Sequence, residues 1–202
     1  MDFYFCTRYK GFPIKLKTMD NFIKIPVKTT YLELFSSNYN LPSSIVESNE
    51  MNIIRTQDIS VNFYKFLYKE IGEQYGWASR LVISNEELFN IINSENVFIY
   101  VLYAKGVPVG FAELNKTDEE GIELKYFGIV QAAEGKGISN YFLQSVIEIV
   151  WSMNINRIHL QTCELDSPKA MPFYSKIGFK EYKSAVCSDY YPKDFVEKLN
   201  LT

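Results

Sequence analysis

Residues 123–140 read Glu-Leu-Lys-Tyr-Phe-Gly-Ile-Val-Gln-Ala-Ala-Glu-Gly-Lys-Gly-Ile-Ser-Asn, and this stretch decides the fold. Ile122, Leu124, Tyr126 and Val130 alternate with Glu123, Lys125, Phe127 and Ile129, the period of two expected of a strand whose side chains point to opposite faces. Gly128 interrupts one face near the strand's end. A glycine there marks a bulge or a close backbone approach, and it is expected to leave main-chain groups open to a ligand. The small-residue run Glu134-Gly135-Lys136-Gly137-Ile138-Ser139 then leads into the helical pattern of Ile138, Phe142, Val146, Ile149 and Val150. Amides freed at such a helix start favour an anion, and glycines let phosphate oxygens reach them. The run is not a P-loop, because Val130 and Gly137 stand where that motif requires glycine and Ser or Thr. It is not the dinucleotide fingerprint either, since Asn140 holds the place of the third glycine.

Working outward, residues 97–103 read as a strand, Ala104-Lys105-Gly106 as a tight turn, and residues 107–114 as a second strand. Asp118-Glu119-Glu120-Gly121 turns into the strand above, completing a meander. Downstream, the helix of residues 137–153 crosses to an alternating strand, 157–163, which a helical connection makes parallel to its predecessor. A short helix follows at 168–177, ended by Gly178-Phe179 before a strand at 180–186. Upstream, Ser60 caps a helix through Ile71 with Phe63, Phe66, Leu67 and Ile71 on one face, and Ser84 with Glu87 forms a capping box opening a second helix. Residues 1–57 are expected to form an N-terminal extension of one or two strands packed on a main domain of residues 58–202. Ser48-Asn49-Glu50 reads as a linker.

Composition bounds the function. A chain of 202 residues, 47% hydrophobic and 22% charged, buries a substantial core. A net charge of −3 with a pI near 5.4 argues against nucleic acid or an anionic membrane surface as partner. Cys6, Cys163 and Cys187 lie far apart, a single histidine, His159, is present to join them, and no metal-ligand spacing appears. The cysteines read as reduced and the compartment as cytoplasmic. Neither a membrane-spanning run nor a secretory leader is evident.

The order helix, helix, hairpin, strand, glycine loop, helix, strand, short helix, Gly-Phe, strand resembles that of the GNAT superfamily of N-acyltransferases over roughly residues 58–182. The glycine run resembles the family's acyl-CoA signature, [Gln/Arg]-x-x-Gly-x-[Gly/Ala], aligned on residues 134–139 with Gly137 its strictly matched glycine. Local wording also resembles one bacterial branch in Trp77-Ala78-Ser79-Arg80, Gly110-Phe111-Ala112-Glu113-Leu114 and Thr162-Cys163-Glu164-Leu165-Asp166-Ser167-Pro168. The resemblance implies an α/β fold with a mixed, mostly antiparallel sheet splayed at its centre and helices on both faces. It implies acetyl-CoA as co-substrate, in contact with Phe127, Ile129, Val130, Gln131, Gly135, Lys136, Gly137, Ile138, Ser139, Asn140 and Ser167. The second substrate is then a primary amine, with a small molecule preferred over a protein and a homodimer left open.

An amine attacks a thioester only as the free base, and the departing thiolate is helped by an acid. By similarity Glu123 takes the place of the family's carboxylate base, and Tyr174, in Ala170-Met171-Pro172-Phe173-Tyr174-Ser175-Lys176-Ile177-Gly178-Phe179, that of its acid. A free glutamate is too weak a base, so burial is expected to raise its pKa or a water to relay the proton. Lys125 reads as a surface charge, Trp77 as a packing plug and His159 as structural. Arg80 is equally compatible with a pocket or a surface role. Cys163 admits a ping-pong route, but direct transfer is expected, with no histidine near it in sequence. Glu134 departs from the family's Gln or Arg and places an acid beside the pyrophosphate. It keeps a second reading in play, a non-catalytic CoA-binding or regulatory module.

Overall fold

The computed structural model describes residues 19–39, 50–117 and 121–200. Cys6, the turn residues 118–120 and most of the linker at 48–50 lie outside the described residues. In chain order the elements are β1 (Phe22–Phe35), β2 (Met51–Arg55), α1 (Val61–Gly72), α2 (Asn85–Ile92), β3 (Val97–Ala104), β4 (Val107–Thr117) and β5 (Gly121–Ile129). These are followed by α3 (Ile138–Ser152), β6 (Arg157–Cys163), α4 (Ala170–Ile177), β7 (Lys180–Pro192) and α5 (Lys193–Lys198). The strands form one sheet in the order β2-β3-β4-β5-β6-β1-β7. All neighbours are antiparallel except β5 and β6, which α3 connects in parallel. β1 therefore lies inside the sheet, with Phe35 opposite Arg157 and Phe22 opposite Pro192. Its Pro26 falls where β1 pairs with β7 alone, before pairing to β6 begins at Thr29, so the missing N–H interrupts no ladder on the β6 side.

Local chemistry accounts for the ends of several elements. Ser60 Oγ accepts from Phe63 N at 3.2 Å and Ser84 Oγ from Glu87 N at 3.1 Å, each satisfying a donor in the first turn of its helix. Lys105 and Gly106 take positive φ values of 51° and 79°, which the tight β3–β4 turn demands. α1 buries Tyr64, Leu67, Tyr68 and Ile71, while Phe66 stays exposed, so the inward stripe differs from the one expected. Two tyrosines displace two phenylalanines because the Tyr64 hydroxyl finds a buried acceptor, the Glu113 carboxylate.

The sheet separates two cores. On one face α3 and α4 cover Leu32, Leu34, Leu102, Leu114, Ile122, Leu124, Ile129, Ile158 and Leu160. On the other, α1, α2 and the segment between them cover Ile99, Val101, Phe111 and Tyr126. The expected alternation along β5 breaks at Lys125. Glu113 pairs with Tyr126 and Leu114 with Leu124, leaving Lys125 as the extra residue of a β-bulge. Leu124 therefore joins the α3 core and Tyr126 the α1 core, although both are even-numbered.

Gly128 also acts otherwise than expected. It pairs with Phe111 on β4, and a Cβ there would lie 2.3 Å from Ile71 Cγ2. The glycine admits helix α1 to the sheet rather than opening the strand to a ligand. The opening has a different origin: the β5–β6 ladder joins Ile122, Glu123 and Leu124 to Ile158, His159 and Leu160, and the strands then part. Residues 125–129 of β5 carry no ladder to β6.

Candidate active site

The gap between the parted strands is bounded at one end by the glycine loop. Gly135 and Gly137 both have φ of 76°, and a Cβ on either would meet nothing within 4 Å. α3 starts directly from Gly137 with no side-chain cap, in contrast to the serine-capped α1 and α2. Its leading amides are thus left to an outside acceptor, and the helix dipole favours an anionic one. Ile138 and Ser139 are half-buried at this start and Asn140 is exposed.

The other expected contacts divide. Phe127 lines the α3 face of the gap, 5.3 Å from the Phe142 ring and stacked 6.1 Å from Phe173 of α4. Val130 is half-buried and Gln131 exposed, but Ile129 is buried in the α3 core, where only its backbone could serve a ligand. The Lys136 ammonium turns back to donate to Ala132 O at 3.1 Å. Ser167 faces the loop from the far side of the gap, accepting from Lys169 N at 3.3 Å and hydrogen-bonding the Tyr75 phenol. Glu134 lies 3.7 Å from the Lys169 ammonium across the same mouth. Arg157 is engaged away from this mouth, paired with Glu33 at 3.0 Å. Lys169 escaped the sequence reading because nothing local marks it; it meets the loop only through tertiary packing.

Glu123 and Tyr174 lie on opposite faces of the sheet. Ile122 and Leu124 point into the α3 core, so Glu123 between them points to the α1 face. It is 7% exposed, and its carboxylate accepts from Lys125 Nζ at 3.1 and 3.3 Å and from Gln161 Nε2 at 3.1 Å. Lys125 is accordingly no surface charge; its side chain is 7% exposed. Burial pushes the Glu123 carboxyl up, but the Lys125 ammonium, the hydrogen bonds and His159 outweigh it. The group ends below its ordinary value, opposite to the rise expected, because burial here comes with a partner already supplied. Tyr174 on α4 packs against Phe173, Phe179 and the α3 core. Burial, then Asp166, push its phenol far above the ordinary range, so it carries its proton at neutral pH.

Three further residues settle into place. Trp77 packs between Tyr68 and Tyr126, at 5.4 and 5.2 Å, against a Gly72 with no room for a Cβ. Arg80 is buried in an ion pair with Glu113 and lies 5.4 Å from the Tyr126 ring. The Cys163 thiol lies 3.4 Å from Tyr191 Oη. No group of His, Cys, Asp and Glu among the described residues could hold a metal ion.

The sequence profile of the Acetyltransferase (GNAT) family matches residues 56–179. Among solved structures, a functionally unknown conserved protein from Staphylococcus epidermidis aligns with a TM-score of 0.59 at 16% identity, over 90% of this chain and 70% of that one. A GCN5-related N-acetyltransferase from Sphaerobacter thermophilus aligns with 0.56 at 14%, over 84% of this chain and 53% of that one. An aminoglycoside acetyltransferase from an uncultured soil metagenome aligns with 0.54 at 14%, over 64% of this chain and 88% of that one. At these identities the likeness is one of fold. No curated protein matches the sequence.

Proposed function

The chain belongs to the GNAT acetyltransferase family, and on that premise we propose that it transfers an acetyl or other short acyl group from acyl-CoA to a primary amine of a small molecule. The observation that carries the reading is the unpaired edge of β5 beside the uncapped start of α3. An extended chain bearing an amide and a thioester finds main-chain partners along such an edge, and a pyrophosphate finds amides at the helix start. The open space over Gly135 and Gly137 fits phosphate oxygens.

The gap also joins the two faces on which Glu123 and Tyr174 lie. The thioester carbonyl then sits between them, with the amine arriving from the Glu123 side. The amine nitrogen attacks the carbonyl carbon, the N–C bond forms and the C–S bond breaks. The ammonium proton leaves towards the ionised Glu123 through a water, and Tyr174 gives its proton to the thiolate. No acyl-enzyme is needed, because the amine attacks the thioester carbon directly. A small-molecule acceptor accords with the aminoglycoside acetyltransferase among the structural neighbours.

Release of free CoA thiol from acetyl-CoA, propionyl-CoA and longer acyl-CoAs across a panel of small amines tests the reading. Amine-dependent release is expected. Binding of acyl-CoA with no release for any amine would favour the non-catalytic module instead.

A further inference from the structure

His159, the one histidine of the chain, lies directly opposite Glu123 in the short parallel ladder, at the last pairs before β5 and β6 part. Ile158 and Leu160 point into the α3 core, so His159 shares the α1 face with Glu123. The Glu123 carboxylate is engaged on both oxygens by Lys125 and on one by Gln161. A carboxylate so held attracts an ammonium but keeps its proton poorly, which makes it a weak terminal acceptor.

On the reading above, we propose that His159 is the base that finally takes the acceptor's proton, and that Glu123 is the positioning residue that orients the imidazole and draws in the ammonium. The proton passes from the amine nitrogen, through the water at Glu123, to an imidazole nitrogen, and leaves to solvent after the amide has formed. Tyr174 protonates the thiolate as before, so each proton has one donor and one acceptor.

The charged groups around the imidazole come from several elements. β5 supplies Glu123 and Lys125, β1 supplies Glu33, which pairs with His159 in register, and β6 itself supplies Arg157. Tyr182 of β7 lies over Arg157, its ring 5.3 Å from the guanidinium. Burial lowers the imidazole's affinity for a proton; Glu123 opposes this, while Arg157 and Lys125 add to it against Glu33. The net effect is a ring that is neutral at physiological pH and able to accept a proton there.

The test compares His159→Gln and Glu123→Gln in the full chain, with acetyl-CoA and whichever amine supports thiol release. His159→Gln is expected to lower kcat/KM about 100-fold, to erase the acid-side inflection of its pH profile, and to leave acetyl-CoA affinity unchanged. Glu123→Gln is expected to keep that inflection and move it to lower pH, because the anion that favours the imidazolium is gone. Wild-type rate and inflection in His159→Gln, alongside an active wild-type enzyme, would overturn the assignment while leaving the acyltransfer reading intact. Absence of both acyl-CoA binding and thiol release in the wild type would instead remove the reading beneath it. Ring-proton NMR supplies a readout that needs no acceptor, since the single histidine gives one titration. A midpoint that falls in Glu123→Gln is expected, and one that Glu123→Gln leaves in place would overturn the proposal, since the carboxylate would then not act on the imidazole.

Discussion

Glu113 and Glu123 sit on adjacent strands, point to the same face of the sheet, and are both buried, yet one is closed and the other open. Glu113, at 0% exposure, is enclosed by the Arg80 guanidinium and the Tyr64 hydroxyl beneath α1, with aromatic rings packed around them. Glu123 has Lys125 and Gln161 for partners but stands at the end of the β5–β6 ladder, where the sheet parts. A buried carboxylate with its partners sealed inside one packed layer serves the fold. One whose partners surround a gap can meet a substrate. The comparison makes distinct claims about each carboxylate, which substitutions can separate.

The largest effect is expected at the closed site. Glu113→Ala strands the Arg80 charge in the core and should destabilise the protein by about 3–5 kcal/mol, read as a shift in denaturation midpoint. A change within about 0.5 kcal/mol, the range of ordinary surface substitutions, would show that the pair is not the structural element described. Glu123→Gln and Tyr174→Phe come next, with turnover down about 100-fold, equivalent to roughly 2.7 kcal/mol of transition-state stabilisation. Acyl-CoA affinity should be nearly unchanged in both variants, and the stability lost in Glu123→Gln should be smaller than in Glu113→Ala. If Glu123→Gln costs as much stability as Glu113→Ala and no turnover, the contrast between the two carboxylates collapses.

Part of this contrast was legible in the sequence, and the reasons for the limit are physical. From residue 97 onward the elements announce themselves through local chemistry: the Lys105-Gly106 turn, the glycine loop, the parallel crossover and Gly178 at φ 117°. The Ser60 and Ser84 caps did the same for α1 and α2. What stayed hidden depends on partners distant in sequence. Nothing near residues 22–35 indicates that they pair with residues 157–163 and 180–192. The bulge at Lys125 is a property of two strands in register, so reading β5 alone put Tyr126 on the wrong face and Lys125 in solvent. The neighbourhood of Glu123 and His159 is likewise set by register, which periodicity does not encode. For Gly128 the kind of residue was informative but its neighbour, Ile71 of α1, was not foreseeable.

A smaller effect is expected at the mouth of the gap. Glu134 faces Lys169 at 3.7 Å, but that ammonium is 83% exposed, so the pair is screened and offsets little of the acid's charge. At about 6 Å from a phosphate charge, with an effective dielectric near ~40, the carboxylate opposes binding by roughly 1 kcal/mol. Glu134→Gln should therefore tighten CoA binding several-fold at low salt, with less gain at high salt. Equal or weaker binding at low salt would mean that the Glu134–Lys169 pair organises the loop for the ligand.

The smallest effect concerns pH. Because the folded-state pKa of Glu123 is lowered, its contribution to stability is fully present above the unfolded value, about 4.3. It is lost as pH falls through the lower folded value. Glu123→Gln should flatten the acid limb of the stability curve below about pH 4. An unchanged limb would show that the Lys125 and Gln161 contacts do not hold the ionised form in solution.

The account stands on acyl-CoA entering where β5 and β6 part, and calorimetric titration with acetyl-CoA tests this most directly when wild type is set beside Gly137→Val. The substitution places a β-branched side chain over the uncapped start of α3, at a left-handed position that such residues disfavour. The account predicts one acetyl-CoA bound per wild-type chain and affinity at least about tenfold weaker in a variant that remains folded. No heat of binding at millimolar acetyl-CoA in the wild type, or equal affinity in the folded variant, would contradict it.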